Sequence, residues 1–483
     1  MNATSTTATT TTSSATNISS AFSVPATAAA VDDTAAPIIC NDVFINLSDY
    51  QSVRPLIHRV FPAWAHVPVF IDLASDAADQ DPSQQNNSVI TAKAATVQST
   101  DKVVVKRLTG GITNVLFQAT YFHYPTYVPS APAPVPLNNS TTTADDDTNS
   151  TNTATSSYAA STASTVVDDE DTLTRPQEFV FLVRAYGNGT DTIIDRDREF
   201  ATHQHLHSKN LAPQLYARFG NGLVYAYLPG RAVHYTLLSD DDVAVAIARR
   251  LAEWHDLLDA KAIDNHIALL KGPGKSFVRS FWELLDGWIA AMPENVIKTH
   301  TKEEMNKELQ WIKQEIGQMG GPMVVAHCDL LAGNVIVPTD WEPRKKTTSD
   351  NQNDISDLDV SFIDYEYAMN SPRAFDIANH FMEWQGFDCK KELIPVPEET
   401  NPVLRTWARD YLSYFSSSSE DISEVDTLVK QVLTWWGMPG FYWGIWSSIQ
   451  STISDIEFDY ANYANERLAE YWEWKKRYLN KHS

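Results

Sequence analysis

The sequence predicts an α+β protein of two lobes, a strand-rich N-lobe over about 38–228 and a helical C-lobe over 229–483. Three observations carry that expectation. The chain has 483 residues, more than one compact core ordinarily organises. Short β-branched and aromatic runs bounded by turn residues recur through its first ordered half. From Ser239 onward the apolar residues fall at helical spacing instead.

The elements follow in order. Residues 1–36 are dominated by Ser, Thr and Ala and lack the apolar side chains that offset ordering entropy, so a disordered tail is expected. Lys102–Leu108, Val115–Phe122 and Glu178–Tyr186 read as strands, as does Leu223–Tyr227 after the turn Gly220-Asn221-Gly222. Between the second and third lies a disordered insertion, about 129–172, Pro-rich at first and then polar, with acidic clusters at 145–147 and 168–171. Asp240–Leu258, Phe277–Met292, Lys302–Met319, Pro402–Phe415 and Tyr460–Tyr478 read as helices. Pro402 suits a first helical turn, where a missing N–H costs nothing. A second polar loop is expected over about 341–357.

Composition excludes several functions. Lys and Arg total 37 against 61 Asp and Glu, a formal charge of −24. That sign opposes nucleic acid and anionic membrane as partners, and it suits a cationic substrate. Cys40, Cys328 and Cys389 are too few and too scattered for a disulfide framework or a cysteine metal site, which points to a reducing compartment. No Lys or Arg precedes Arg54, as a secretory or transit signal would require, and no apolar run approaches the ~20 residues of a membrane span. A cytoplasmic protein without stable membrane insertion is the expectation.

The chemistry is concentrated in Val324-Val325-Ala326-His327-Cys328-Asp329-Leu330-Leu331-Ala332-Gly333-Asn334-Val335-Ile336-Val337. An apolar run ends in His-x-Asp, and Asn follows the Asp by five positions before a second apolar run. A third apolar run, Ser361-Phe362-Ile363-Asp364-Tyr365-Glu366, begins 27 residues after Asn334 and also ends in carboxylates. Phosphoryl transfer needs one carboxylate beside the attacking hydroxyl and others to hold Mg²⁺ on the phosphates. Asp329, Asn334 and Asp364 match those needs in type and order. A lone His-x-Asp is more often a loop-end helix cap; the added Asn334 and Asp364 in register favour the catalytic reading. Upstream, Thr109-Gly110-Gly111-Ile112-Thr113-Asn114 joins two strands. It is either a phosphate-approaching turn or an ordinary hairpin turn. Arg184 stands in an apolar strand and needs a partner, either ATP phosphate or a carboxylate such as Glu199; otherwise it snorkels from an edge strand.

Several stretches resemble the choline/ethanolamine kinases: Leu182-Val183-Arg184-Ala185-Tyr186-Gly187-Asn188, Ile194-Asp195-Arg196-Asp197-Arg198-Glu199, Ala212-Pro213-Gln214-Leu215-Tyr216, Phe362-Ile363-Asp364-Tyr365-Glu366-Tyr367-Ala368, and Arg373-Ala374-Phe375-Asp376-Ile377-Ala378-Asn379-His380-Phe381. The likeness spans about 100–480 outside the polar loops, and the Gly-Gly-Ile-Thr-Asn loop looks more like the ethanolamine branch. The resemblance implies a two-lobed protein-kinase-like fold, ATP and Mg²⁺ as cofactors, and phosphorylation of ethanolamine on the route to phosphatidylethanolamine. It implies Asp329 as catalytic base, with Asn334, Asp364 and Glu366 on the metal. Gly110, Gly111, Thr113, Asn114 and Arg184 would hold phosphates, and Tyr227 would lie beside adenine. Glu383, Trp443, Trp446 and Tyr463 would line the amine pocket, since an ammonium wants a carboxylate and aromatic faces. Read without the family, Trp443 and Trp446 three apart are a packed aromatic stripe. The family usually carries Asn where this chain has Cys328.

Rival readings are a choline or dual-specificity kinase, a protein kinase, an aminoglycoside-type phosphotransferase and a pseudokinase binding module. The protein-kinase reading lacks a Gly-x-Gly-x-x-Gly loop, and Asp364-Tyr365-Glu366 stands in place of Asp-Phe-Gly. The aminoglycoside-type enzymes should lack the Asp376–Phe381 segment. The pseudokinase reading predicts the loss of a metal ligand or the base, and all three are present.

Overall fold

A computed structural model describes residues 35–47, 49–72, 101–108, 114–124, 176–344, 357–415, 422–454 and 456–482. Residues 1–34 of the expected tail, the 129–172 insertion and most of the 341–357 loop lie outside these residues. So do Gly110, Gly111 and Thr113.

The N-terminal half is built on one sheet. Strands β1 (Ile38–Cys40), β2 (Val69–Asp72), β3 (Lys102–Leu108), β4 (Asn114–His123), β5 (Gln177–Tyr186), β6 (Leu215–Phe219) and β7 (Gly222–Ala226) form it in the order β1-β6-β7-β5-β4-β3-β2. The two edge pairs, β1 with β6 and β2 with β3, are parallel, and the inner pairs are antiparallel. Alternation along β3 to β5 turns Val103, Val105, Phe117, Ala119, Phe181 and Val183 to a common core, where helix α1 (Val53–Val60) covers them with Leu56 and Ile57. Helix α2 (Arg196–His207) follows β5, its first turn capped by the Asp195 side chain. Its inward positions include Arg196, Arg198 and Glu199, so apolar periodicity does not announce it.

The expected strand Leu223–Tyr227 ends one residue earlier, at Ala226. Tyr227 keeps one ladder contact, its N–H to Val180 O at 3.3 Å, and the chain then leaves the sheet. Strand β8 (Arg231–Ala232) pairs with β10 (Val335–Val337), which pairs with β11 (Ser361–Phe362). Gly230 makes this crossing possible: φ is +143°, and a Cβ there would sit 2.4 Å from Ile336 and 2.6 Å from the Val337 carbonyl oxygen.

The helical half holds α3 (Asp241–Leu257), α4 (Ala260–Lys271), α5 (Phe281–Ala291), α6 (Lys302–Glu315), α7 (Arg373–Met382), α8 (Pro402–Ser413), α9 (Ile422–Thr434), α10 (Met438–Ile453) and α11 (Tyr460–His482), with the hairpin of β9 (Met323–Ala326) and β12 (Met369–Pro372) between them. Several boundaries differ from the periodicity: α8 stops at Ser413 and α11 runs on to His482, while caps and turns set two others. Helix α5 begins at Phe281 because Ser280 caps it, accepting from Glu283 N–H. Helix α6 opens on a capping box of Thr301 and Glu304 but stops at Glu315, where Gly317 N–H turns back to the Ile312 carbonyl. Two apolar clusters fill this half, one around α3, α8 and α9 and one around α5, α6, α10 and α11.

Candidate active site

The loop after β9 is shaped by a single helix. In the first turn of α7, the buried Asp376 carboxylate accepts the N–H groups of His327 and Cys328, both at 2.8 Å. Three and four positions on, Asn379 Nδ2 donates to Cys328 O at 3.0 Å, and His380 Nδ1 pairs with Leu330 O at 3.0 Å. These offsets lie on one helix face, so α7 grips the loop at His327, Cys328 and Leu330, on both sides of Asp329. Cys328 takes φ +63°, which bends the chain and turns Asp329 out of the strand direction. Burial alone would raise the Asp376 carboxyl. His255, 3.0 Å away, and the loop's N–H groups hold it below the usual carboxylate range.

Asn334 closes the loop. Its Nδ2 donates to Asp329 O at 2.8 Å and to Asp329 Oδ2 at 3.2 Å. Its own carbonyl accepts Ile363 N–H at 3.0 Å, and His327 Nε2 pairs with Ile363 O at 3.0 Å. The segment carrying Asp364 is thereby fixed against the segment carrying Asp329. The three residues singled out by spacing meet in one place.

Behind Asp364 stands an ion network. Arg184 on β5 lies 2.9 Å from Asp364, 3.1 Å from Glu199 on α2, and pairs with Glu366. Arg196 lies 2.9 Å from both Glu199 and Glu366. Asn114 Nδ2 donates to Glu366 Oε2 at 3.1 Å, which brings the start of β4 to the same carboxylate. Arg184 thus meets the carboxylate partner expected of it, Glu199, together with Asp364 and Glu366.

The electrostatics are those of crowded carboxylates. Burial, reinforced by the charges of Asp364, Glu383 and Glu366, holds the Asp329 carboxyl well above its ordinary range. Burial also raises Asp364, to about 6, with Arg184 opposing and Glu366 and Glu199 reinforcing the shift. Such a cluster invites a cation. Among the described residues no three His, Cys, Asp or Glu side chains form a ready cage. Mg²⁺ does not need one, since it takes one or two carboxylates, keeps waters and draws its remaining ligands from phosphate oxygens. The oxygen donors of Asp364 and Asn334 fit that requirement. Glu366 Oε2 is engaged by Arg184, Arg196 and Asn114.

Below the loop lies an aromatic group. Trp443 and Trp446 on α10 meet edge to face at 5.3 Å, and Tyr367 packs against Trp443 at 5.7 Å. Each indole N–H is committed, Trp443 to Asn379 Oδ1 and Trp446 to the Tyr367 hydroxyl, both at 2.8 Å. These rings are packed core as well as candidate pocket wall. Tyr463 on α11 joins them through Phe458 and Tyr460, with centroid spacings of 5.6, 4.8 and 5.8 Å along the series to Trp446. Glu383 follows α7, half-buried; burial raises its carboxyl, with Arg467 opposing and Glu470 reinforcing.

Five residues of this assembly were given no role by sequence reasoning: Arg196, Tyr367, Asp376, Asn379 and His380. The Asp-x-x-Asn-His spacing on one helix face was the available signal for the last three.

Two cavities lie near the site, neither of them lined by Asp329, and the first borders it through Glu366. One of about 700 Å³ is lined by Arg196, Trp288, Glu366 and Tyr367. The other, about 830 Å³, lies among the 391–399 segment, α9 and α11, and Asp329 does not line it.

The family model described as choline/ethanolamine kinase matches residues 159–472. The chain belongs to the choline/ethanolamine kinase family. It is thus a small-molecule kinase. This choline/ethanolamine kinase family member is 33% identical over 310 residues to ethanolamine kinase 1 of Mus musculus, covering 62% of this chain and 78% of the mouse protein. It is 32% identical over 310 residues to ethanolamine kinase 1 of Homo sapiens, covering 62% of each chain. A solved Plasmodium vivax ethanolamine kinase superimposes with a TM-score of 0.53 at 19% identity, over 77% of this chain and 82% of that one. The two share the two-lobed protein-kinase-like fold. Among the described residues no helix is long and apolar enough to cross a membrane.

Proposed function

We propose that the protein moves the γ-phosphate of Mg²⁺-ATP onto the hydroxyl of ethanolamine, giving phosphoethanolamine, the first step of the CDP-ethanolamine route to phosphatidylethanolamine. The observation that carries this reading is the convergence of Asp329, Asn334 and Asp364 beside an aromatic group and Glu383. The relatives named ethanolamine kinase favour the amine.

Asp329 accepts the substrate hydroxyl's hydrogen bond and takes its proton as the new O–P bond forms and the bond to the ADP oxygen breaks. Asn334 holds the Asp329 carboxylate in place, leaving its second oxygen for the hydroxyl. Mg²⁺, when bound, neutralises charge on the phosphates, and Asn334, Asp364 and Glu366 are the residues to hold it. Arg184 orients Asp364 and Glu366 toward the phosphates; Gly110, Gly111, Thr113 and Asn114 are the residues to hold the phosphates, and Tyr227 is the one to meet adenine. Glu383 meets the ammonium, with Trp443, Trp446 and Tyr463 around it. Burial is the main cause that raises the Asp329 carboxyl, and an ammonium near Glu383 and a divalent cation at Asp364 both relieve the repulsion that adds to it, so filling the site favours the ionised base.

The edge-to-face cluster of Tyr367, Trp443 and Trp446 also favours a second reading, a choline or dual-specificity enzyme, because trimethylammonium has no N–H donors and binds aromatic faces. ADP release by the purified protein with Mg²⁺-ATP separates the two. Higher kcat/KM for ethanolamine is expected, and equal or better use of choline overturns the assignment. Asp329→Ala is expected to lose roughly three or more orders of magnitude in turnover, and unchanged turnover would refute the site.

A further inference from the structure

Helices α2 and α4 run antiparallel and touch at four levels. At one end Lys271 Nζ lies 2.8 Å from Asp197 and 3.2 Å from Asp195. Next, Arg198 Nη2 lies 2.8 Å from Asp264, with the Arg198 side chain almost wholly buried. Phe200 then meets His266 edge to face at 6.0 Å. At the other end Asp259 N–H, at the start of α4, donates to His205 Nε2 at 3.2 Å. Helix α4 follows directly on α3, and α3 is anchored in the helical half: Trp254 Nε1 donates to Val325 O, and Arg250 Nε to Val360 O, both at 2.8 Å.

Helix α2 is the element that carries Glu199 to Arg184, and Arg184 in turn lies on Asp364. In protein kinases the corresponding Lys–Glu pair forms only when its helix is correctly placed, and that placement is a point of control. Here the helix is tied to the helical lobe, on the same body as Asp329 and Asp364.

We propose that Arg198, Asp264 and Lys271 are positioning residues for phosphoryl transfer: by locking α2 to α4 they hold Glu199, and through it Arg184, so that Asp364 is aimed without any activating movement of the helix. The inference rests on Asp364 serving the metal. Its physical basis is that breaking a buried ion pair leaves an uncompensated charge, and that a displacement of ~1 Å at a reacting centre costs up to about a hundredfold in rate. Lys271 and Arg218, which lies 2.7 Å from Asp197, outweigh burial and keep the Asp197 carboxyl ionised, so the outer end of the lock persists at neutral pH.

The test uses the full chain with Mg²⁺-ATP and ethanolamine. Asp264→Asn combined with Lys271→Met is expected to lower kcat about tenfold and leave KM for ethanolamine within about twofold. The charge exchange Arg198→Asp with Asp264→Arg is expected to recover most of the kcat lost by Asp264→Asn alone. Wild-type kcat in the double variant, or a loss confined to KM for ethanolamine, overturns the proposal. Asp364→Asn separates the two levels: if it is inactive while the α2–α4 variants turn over normally, only the lock is wrong, and if it is active the metal reading itself fails. Should a variant not fold, amide exchange on the wild type decides. Protection of 198–206 in step with 260–271 supports the lock, and exchange in step with β3 and β4 overturns it.

Discussion

Asp376 has no exposed surface, yet its carboxylate serves two backbone N–H groups and His255 at once. Asp376→Asn replaces one acceptor with an NH₂ group facing an N–H donor, leaving a buried donor unsatisfied. A stability loss of about 2–3 kcal/mol is expected in urea unfolding, with a fall of roughly a hundredfold in kcat as the loop shifts. Equal loss of stability without loss of kcat would argue against a positioning role. Cys328 poses a different problem, since φ +63° suits Asn or Gly and penalises β-branched residues. Cys328→Val adds apolar bulk in an apolar cluster but is expected to cost about 2 kcal/mol, measured against Cys328→Ala in the same denaturant series. A neutral Cys328→Val would show that the backbone bears no strain there. Asp329, Asn334 and Asp364 were legible because they sit at fixed offsets beside apolar runs. Asp376, Arg196 and Tyr367 were not, because their partners lie far along the chain: His327 is 49 positions from Asp376, and Glu366 is 170 from Arg196.

Strands and surface-facing helices were readable from alternation and helical spacing, since each has one wet side. Helix α2 defied that rule because it buries Arg196, Arg198 and Glu199 against other charged groups, and helix α10 because it is apolar around nearly its whole circumference. The close contact of α10 with α11 depends on small residues. A Cβ on Gly440 would stand 2.5 Å from the Arg467 carbonyl oxygen, and one on Gly444 would stand 2.6 Å from Leu468 Cγ. Helix propensity alone makes Gly440→Ala stabilising by ~1 kcal/mol. The obstructing atom at Gly440 is backbone, which cannot swing aside, so the contact wins. Gly440→Ala is expected to destabilise by about 2–3 kcal/mol and to raise KM for the amine more than it lowers kcat, because Trp443, Trp446 and Tyr463 are carried by the two helices being pushed apart. A variant as stable as wild type would mean that α11 yields at little cost.

At the scale of the whole molecule, Asp329, Asp364 and Glu366 belong to the helical half while Arg184 reaches Asp364 and Asn114 reaches Glu366 from the sheet, so the seam between the halves is lined with ionisable groups whose state depends on what fills it. The two-lobed division was suggested by the change from period-2 to helical texture, but no local pattern announced this seam. Burial above all raises the Asp364 carboxyl to about 6, and it raises Asp329 as well. A carboxyl with a raised folded pKa favours the fold at low pH, and that contribution disappears as pH climbs from its unfolded value through its folded one, here from about 4 to about 6 for Asp364. A bound divalent cation reverses the preference, because it expels the proton and pairs with the carboxylate that remains. Binding of Mg²⁺-ATP is therefore linked to proton release and must tighten with pH across this window. The thermal stabilisation it confers is expected to be about 3 °C larger at pH 7.5 than at pH 5.5, and Asp364→Asn should flatten that difference. Equal shifts at the two pH values in the wild type would mean that nucleotide and metal bind without displacing a proton from the carboxylates between the lobes.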